Sequence, residues 1–215
     1  MKKKKQRSLY FALCSLAAFS LWTLAVCTFD KKAIGAQNTS VGFATMNGFV
    51  KELTGVNMPL YNIIDWLGLV PIAFAFGFAV FGLAEWIRRG DIKKVDRSIL
   101  TLGGFYVVVM AAYILFENVV INYRPILING CLEASYPSST TMLVLCVMPT
   151  AIMQLNVRIK NVIIRRCVAI AIIMFIVFMV LGRLISGVHW FSDIIGGALL
   201  SLGIVLLYRY ISQGR

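Results

Sequence analysis

Histidine, acidic residues and paired cysteines are scarce in this sequence. It has one histidine and nine aspartate and glutamate residues, against 21 lysines and arginines. The cysteines show no paired spacing of the metal-binding or redox kind, so we interpret them as small packing residues; they are Cys14, Cys27, Cys131, Cys146 and Cys167. Neither a metal site nor a cofactor is predicted.

Charged residues are also few, and this excludes an ordinary water-soluble domain. They make up 14% of the chain, whereas apolar residues make up 60% and the mean hydropathy is +0.83. Soluble domains use roughly 45–50% apolar residues. A helix needs about 20 apolar residues to cross a bilayer, so five or six crossings take up most of the chain. The composition predicts an all-α integral membrane protein.

Six apolar runs predict a bundle of six transmembrane helices, forming one membrane-embedded domain over residues 1–215. The predicted helices cover about 8–29, 63–87, 99–116, 139–155, 167–185 and 193–211. The fourth rests on a short run, so five helices are the alternative. The first run follows Lys2–Lys5 and resembles a secretory signal, but its length and the lack of an Ala-x-Ala site favour a retained helix.

The positive charges alternate between the two sides of this predicted bundle. Sixteen of the lysines and arginines lie in the amino-terminal tail, 88–97, 156–166 and the carboxyl end, and five lie on the other side. The positive-inside rule then places both termini in the cytoplasm. We interpret the net charge of +12 as a topology signal and exclude nucleic-acid binding. The compact length and this charge bias indicate a bacterial inner membrane.

The loop segment Ser40–Leu53 has the apolar spacing of an interfacial helix, one that lies on the membrane surface.

Ionisable residues at membrane depth are costly and are therefore candidates for function. Arg124, Arg183, His189 and Asp193 all fall at the predicted outer ends of late helices. His189 and Asp193 are four residues apart, so on a helix Asp193 can accept the Nδ1 proton and leave Nε2 as a nucleophile or base. The forked donors of the two arginines suit phosphate. Taken singly, each residue also has a structural interpretation, such as a snorkelling arginine or a surface ion pair.

Three motifs give these residues a family resemblance. The run from Gly182 to Asp193 resembles the third signature of the type 2 phosphatidic acid phosphatase family, S-R-x5-H-x3-D, with Gly182 in place of the first serine. Tyr123-Arg124-Pro125 resembles the end of the first signature, K-x6-R-P, and Pro137-Ser138-Ser139-Thr140 resembles the second, P-S-G-H. The third signature is fairly specific, and the other two are weak alone.

The resemblance implies a metal-independent phosphatase acting on a phosphorylated lipid in the bilayer. His189 matches the nucleophile that forms a phosphohistidine, and Asp193 matches the carboxylate that orients it. The matching phosphate-binding positions are Arg124, Arg183 and Ser138, with Ser139 adjacent; Asn122, Tyr123 and Thr140 are further candidates for the site.

Two departures from the signatures shape the functional prediction. Thr140 replaces the histidine that serves as general acid, and Glu117 replaces the lysine of the first signature. General acid help is worth about 10²–10⁴ in rate, and a phosphate leaving group needs it less than an alkoxide does. We therefore predict a lipid phosphatase or diphosphatase, with a polyprenyl diphosphate such as undecaprenyl diphosphate favoured. The alternatives are a weak or inactive relative that binds or transports a phosphorylated lipid, and a small transporter, for which no matching halves are found.

Overall fold

The computed structural model describes residues 2–212, with side chains from residue 6 onward. Its helices are α1 (Lys2–Thr28), α2 (Ala44–Thr54), α3 (Met58–Leu67), α4 (Leu69–Arg89), α5 (Arg97–Asn118), α6 (Ser139–Arg158), α7 (Val162–Ile185) and α8 (Phe191–Ser212). Two short strands, β1 (Lys32–Ala33) and β2 (Ser40–Val41), pair antiparallel. The predicted all-helical fold is confirmed, whereas the domain prediction also includes residues 1 and 213–215, which lie outside the described part.

Six helical segments are long and apolar enough to cross a membrane, as the sequence predicts. They are Gln6–Thr28, Met58–Arg89, Arg97–Asn118, Ser139–Arg158, Val162–Ile185 and Phe191–Ser212. The second joins α3 and α4 through Gly68. The cytoplasmic placement of both termini stays a prediction; it uses the charges of Lys2–Lys5, whose side chains are not described, and of Arg215, which lies outside the described residues.

Several helices are longer than the apolar runs that predict them. The fourth span extends to Arg158 because its last turn carries polar residues that contact other helices, and half of its most apolar window is buried within the bundle. α7 begins five residues before the predicted start, since Asn161 caps it by accepting from the N–H groups of Ile163 and Ile164. Hydropathy marks the part of a helix that suits lipid, whereas capping decides where the helix begins.

α8 lies at the centre of the bundle, between α1 and α6. Its contacts with α1 continue at the end where α8 begins: Trp22 Nε1 donates to Ser192 O at 3.0 Å. One apolar core joins α1, α5, α6 and α8, and a second joins α3, α6 and α7. The first helix is thus an integral part of the apolar core.

α2 lies across the end of the bundle where α5 and α7 end and α6 and α8 begin, which we call the site end. It begins within the predicted interfacial segment Ser40–Leu53 and ends one residue beyond it, at Thr54. Asn47 of α2 donates to Ser192 Oγ at 2.9 Å and accepts from Ser192 N at 3.0 Å. Lys51 donates to Pro125 O at 3.1 Å and lies over the Trp190 ring. α2 therefore holds the start of α8 and the loop between α5 and α6 in place.

Candidate active site

A tight turn between α7 and α8 brings Arg183, His189 and Asp193 together. Gly187 in this turn has φ +67°, and a Cβ there would lie 1.8 Å from Gly55 O, so the close approach of the two loops requires glycine. Arg183 is in the last turn of α7 and Asp193 is in the first turn of α8. All three side chains are buried, Asp193 completely. The predicted grouping of these residues is present in the structure.

The hydrogen bonds of His189 define which ring nitrogen is free to react. Nδ1 lies 3.1 Å from Ser135 O, a pure acceptor, so Nδ1 carries the proton. Nε2 lies 3.1 Å from Arg183 Nη2, a pure donor, so Nε2 presents its lone pair. Asp193 Oδ2 is farther from Nδ1, at 3.7 Å. The sequence-based prediction had Asp193 as the acceptor; the main-chain oxygen of Ser135 is nearer.

Asp193 is held in place by two donors. Its Oδ2 accepts from Trp190 N at 3.0 Å, which caps the start of α8. Its Oδ1 accepts from Asn122 Nδ2 at 3.4 Å. Asn122 therefore contacts the carboxylate, whereas Tyr123 contributes its main-chain oxygen, which accepts from Trp190 Nε1 at 2.7 Å. Asn122 and Tyr123 thus help to hold Asp193 and Trp190 in place.

Two buried guanidinium groups converge beside His189. Arg124 is 8% exposed and Arg183 is 1% exposed, and their Cζ atoms lie 5.9 and 5.0 Å from the centroid of the same Tyr61 ring. Within the described part of the chain, Nε and Nη1 of both arginines have no hydrogen-bond partner. Two of these nitrogens, Arg124 Nε and Arg183 Nη1, face the carboxylates of Glu133 and Asp65 at 3.1 and 3.6 Å. Leaving buried charged donors without hydrogen bonds is costly, so the two guanidinium groups together indicate a site for an anion with several oxygens.

The second-signature segment lies at the start of α6, close to the histidine. Ser138 is the N-cap of α6, and its Oγ accepts from Thr141 N at 3.4 Å and from Thr141 Oγ1 at 3.0 Å. Ser139 lines a small cavity together with His189 and Glu117. Thr140 is half-buried and is not among the residues that line this cavity. Of the three candidates, only Ser139 lines the cavity that His189 also lines, and the helix start adds main-chain donors.

Four residues of the site have no part in the sequence-based prediction. Ser135 contributes a main-chain oxygen, which no side-chain pattern marks. Tyr61 and Asp65 are four apart on α3, and Glu133 lies in the loop before α6. The sequence does mark Asp65. It is an ionisable residue near the start of an apolar run, and the argument that makes Arg183 a candidate for function applies to it equally.

Among residues 2–212, no three histidine, cysteine or acidic side chains are grouped so that they could hold a metal ion. Arg124 and Arg183 supply the positive charges of the anion site.

Burial, together with the positive charges of Arg183 and Arg124, lowers the pKa of His189 well below its usual value of 6.5. A lowered pKa keeps the imidazole neutral, and hence nucleophilic, at pH values where an ordinary histidine is protonated. Because His189 is the only histidine, its ring gives a single imidazole signal in an NMR titration of the protein in detergent. We expect that signal to show the neutral form at pH 6, and the same protein unfolded in denaturant to titrate near 6.5. A midpoint at or above 6.5 in the folded protein would contradict the buried, arginine-flanked geometry.

Comparisons with known proteins agree with this description. Residues 115–215 match the model of the PAP2 superfamily, a stretch that includes all three motifs. Among solved structures, the chain is similar to a transmembrane PAP2-type phosphatidylglycerolphosphate phosphatase from Bacillus subtilis, at 19% identity and a TM-score of 0.55, over 95% of this chain and 97% of that one. No curated protein matches the chain. The resemblance drawn from the motifs is confirmed, and the structural likeness shows a shared fold.

Proposed function

We propose that this chain, whose residues 115–215 match the PAP2 superfamily, is an integral membrane phosphatase acting on a phosphorylated lipid through a phosphohistidine. The observation that carries the proposal is the position of the unprotonated Nε2 of His189, 3.1 Å from Nη2 of the buried Arg183, with the buried Arg124 against the same Tyr61 ring as Arg183. We infer that a phosphoryl group held by the two guanidinium groups brings its phosphorus within reach of Nε2. We place the site on the extracytoplasmic side of a bacterial inner membrane, following the charge bias of the loops.

The reaction then has two steps. The Nε2 lone pair attacks phosphorus, and the bond from phosphorus to the lipid oxygen breaks, which leaves a phosphohistidine and a lipid anion. The ring becomes cationic as the N–P bond forms, and Asp193, 3.7 Å from Nδ1, stabilises that charge while Ser135 O keeps the Nδ1 proton. Water then attacks phosphorus, and inorganic phosphate leaves with restoration of the neutral imidazole. The arginines stabilise the charge on the transferring oxygens in both steps.

The lack of a general-acid histidine at position 140 favours a diphosphate substrate. Thr140 occupies the position of the general acid in the second signature, and a threonine hydroxyl does not protonate a departing alkoxide as an imidazolium does. A lipid monophosphate leaving from a diphosphate is a much weaker base and departs without that proton. We therefore favour a polyprenyl diphosphate, such as undecaprenyl diphosphate, over phosphatidic acid.

A comparison of substrates tests this preference. We expect the purified protein to release phosphate from a polyprenyl diphosphate, in the presence of a chelator, about 10² times faster than from the monophosphate of the same lipid, since general acid help is worth at least that much. Using one lipid for both substrates removes differences in the tail. Equal rates for the two substrates, or a faster monophosphate reaction, would contradict the leaving-group argument.

The second candidate function is a relative that binds or transports a phosphorylated lipid with little or no turnover. Glu117 favours it, because this carboxylate lines the cavity beside His189 where the family signature has a lysine. Tight binding of a lipid phosphate without phosphate release, together with no gain of activity in Thr140→His, would support this candidate. Rapid turnover by the unmodified protein would exclude it.

A further inference from the structure

Each site arginine is paired with a carboxylate at the surface of the protein. Glu133 Oε2 lies 3.1 Å from Arg124 Nε, and Asp65 Oδ1 lies 3.6 Å from Arg183 Nη1. The arginine side chains are 10% and 1% exposed, whereas those of Glu133 and Asp65 are 41% and 58% exposed. The carboxylates thus lie between the buried positive charges and the outside.

These carboxylates lie against the nitrogen atoms that a phosphate would need. Neither pair has the geometry of a hydrogen bond, since Nε of Arg124 and Nη1 of Arg183 are both without a partner in the described chain. Because these two nitrogens face carboxylate oxygens at 3.1 and 3.6 Å, a phosphoryl oxygen can bind them only when the carboxylates move away.

The two acidic side chains are free to move, and the arginines are not. The side chains of Glu133 and Asp65 are 41% and 58% exposed, so packing does not hold either of them against its arginine. The guanidinium groups are enclosed, with the Tyr61 ring against both. The main chain at Glu133 is also fixed independently of its side chain, because Glu133 O accepts from Arg124 N at 3.0 Å.

We propose that Glu133 and Asp65 are specificity-determining residues that compete with phosphate for Arg124 and Arg183. This inference rests on the proposed function, because it assumes that the arginines bind a phosphoryl group. The carboxylates stabilise the arginines in the empty site, turn away when the phosphoryl group enters, and return as inorganic phosphate leaves. Their negative charge weakens the hold on phosphate anions and so speeds product release.

The size of the effect follows from Coulomb's law. Two unit charges 4 Å apart near a protein surface interact by several times the thermal energy, and phosphate carries up to two negative charges. Removing one carboxylate charge should therefore tighten phosphate binding by about tenfold.

Binding of inorganic phosphate to amide variants tests the proposal without needing turnover. Glu133→Gln and Asp65→Asn keep the size and polarity of each side chain and remove its charge. Glu52→Gln is the matched control, since Glu52 is an exposed acid on α2 at the same end of the protein. The readout is the imidazole NMR signal of His189, the only histidine, followed as phosphate is added to the full chain in detergent, with chloride at equal ionic strength as a reference.

We expect Glu133→Gln and Asp65→Asn each to lower the phosphate dissociation constant about tenfold, and Glu52→Gln to change it less than twofold. An unchanged constant in both site variants, while the unmodified protein binds phosphate, overturns this inference and leaves the proposed function intact. Tighter binding in the variants, with no phosphate release from any lipid, supports the inference and rejects the proposed activity. Absence of phosphate binding in every form overturns both.

Discussion

Replacing His189 with alanine is expected to lower phosphate release from the lipid substrate by about 10⁴-fold or more, because the nucleophile is lost and the remaining groups only bind and orient the phosphoryl group. In the resting structure, the Nε2 lone pair accepts from Arg183 Nη2 at 3.1 Å. On binding, that nitrogen must instead meet phosphorus, with the guanidinium shifting to the phosphoryl oxygens. The measurement is the initial rate of phosphate release in detergent, in the presence of a chelator.

His189→Asn is the matched variant for this experiment. Its side-chain NH₂ can replace the Nδ1 donor to Ser135 O, so the turn between α7 and α8 keeps its contact, yet no nucleophilic nitrogen remains. Thermal unfolding close to that of the unmodified protein, with the same loss of activity, would separate chemistry from folding. Phosphate release at the original rate from both variants would reject the phosphohistidine mechanism.

The intermediate can be observed directly in the unmodified chain. Rapid quenching with base during turnover of a radiolabelled substrate should leave label on the protein, and mild acid should release it, as expected for a phosphoramidate. Because the chain has one histidine, acid-labile label on histidine identifies His189 without mapping. Label that persists in His189→Ala would assign the intermediate to another residue.

Arg183→Lys is expected to lower kcat by about 10²–10³-fold, even though it conserves charge. Arg183 is 1% exposed. Its guanidinium contacts His189 through Nη2, whereas Nε and Nη1 have no hydrogen-bond partner in the described part of the chain. A lysine ammonium is a point charge on a flexible stem, so it cannot hold two phosphoryl oxygens in parallel. A buried lysine also loses its proton more easily than arginine does.

The control for this substitution is Arg97→Lys. Arg97 is an exposed residue in the first turn of α5, at the end of the bundle opposite the site. We expect its activity to stay within about twofold of the unmodified protein, as for surface substitutions away from special features. If Arg183→Lys also retained its activity to within threefold, the proposed two-point contact between the Arg183 guanidinium and phosphate would be rejected.

The sequence-based prediction was strongest where the pattern is local. His189 and Asp193 are four residues apart, and the structure places Asp193 in the first turn of α8 with its carboxylate 3.7 Å from the imidazole. Arg183 lies in the last turn of α7, just before the same turn. The three residues are therefore close together in the sequence. Spacing is informative there because a helix turn has fixed geometry.

The prediction was weakest where the contact is between distant parts of the chain. Ser135 O, not the Asp193 carboxylate, is the nearest acceptor to Nδ1, and a main-chain oxygen leaves no mark in the residue pattern. Asp65 and Glu133 reach the arginines from α3 and from the loop before α6. Their positions depend on helix packing and on the short antiparallel contact between Tyr123 and Ala134.

The amino-acid sequence by itself determined that the protein lies in a membrane, that six helices cross it, and that one histidine, one aspartate and two arginines are the candidates for chemistry. Those features follow from hydropathy and from short spacings, which act over a few residues. The tertiary structure decided which nitrogen of His189 is free, how far the arginines are desolvated, and which carboxylates lie against them. These properties depend on distances of 3–4 Å between residues remote in the chain, and only the packing of the helices fixes such distances.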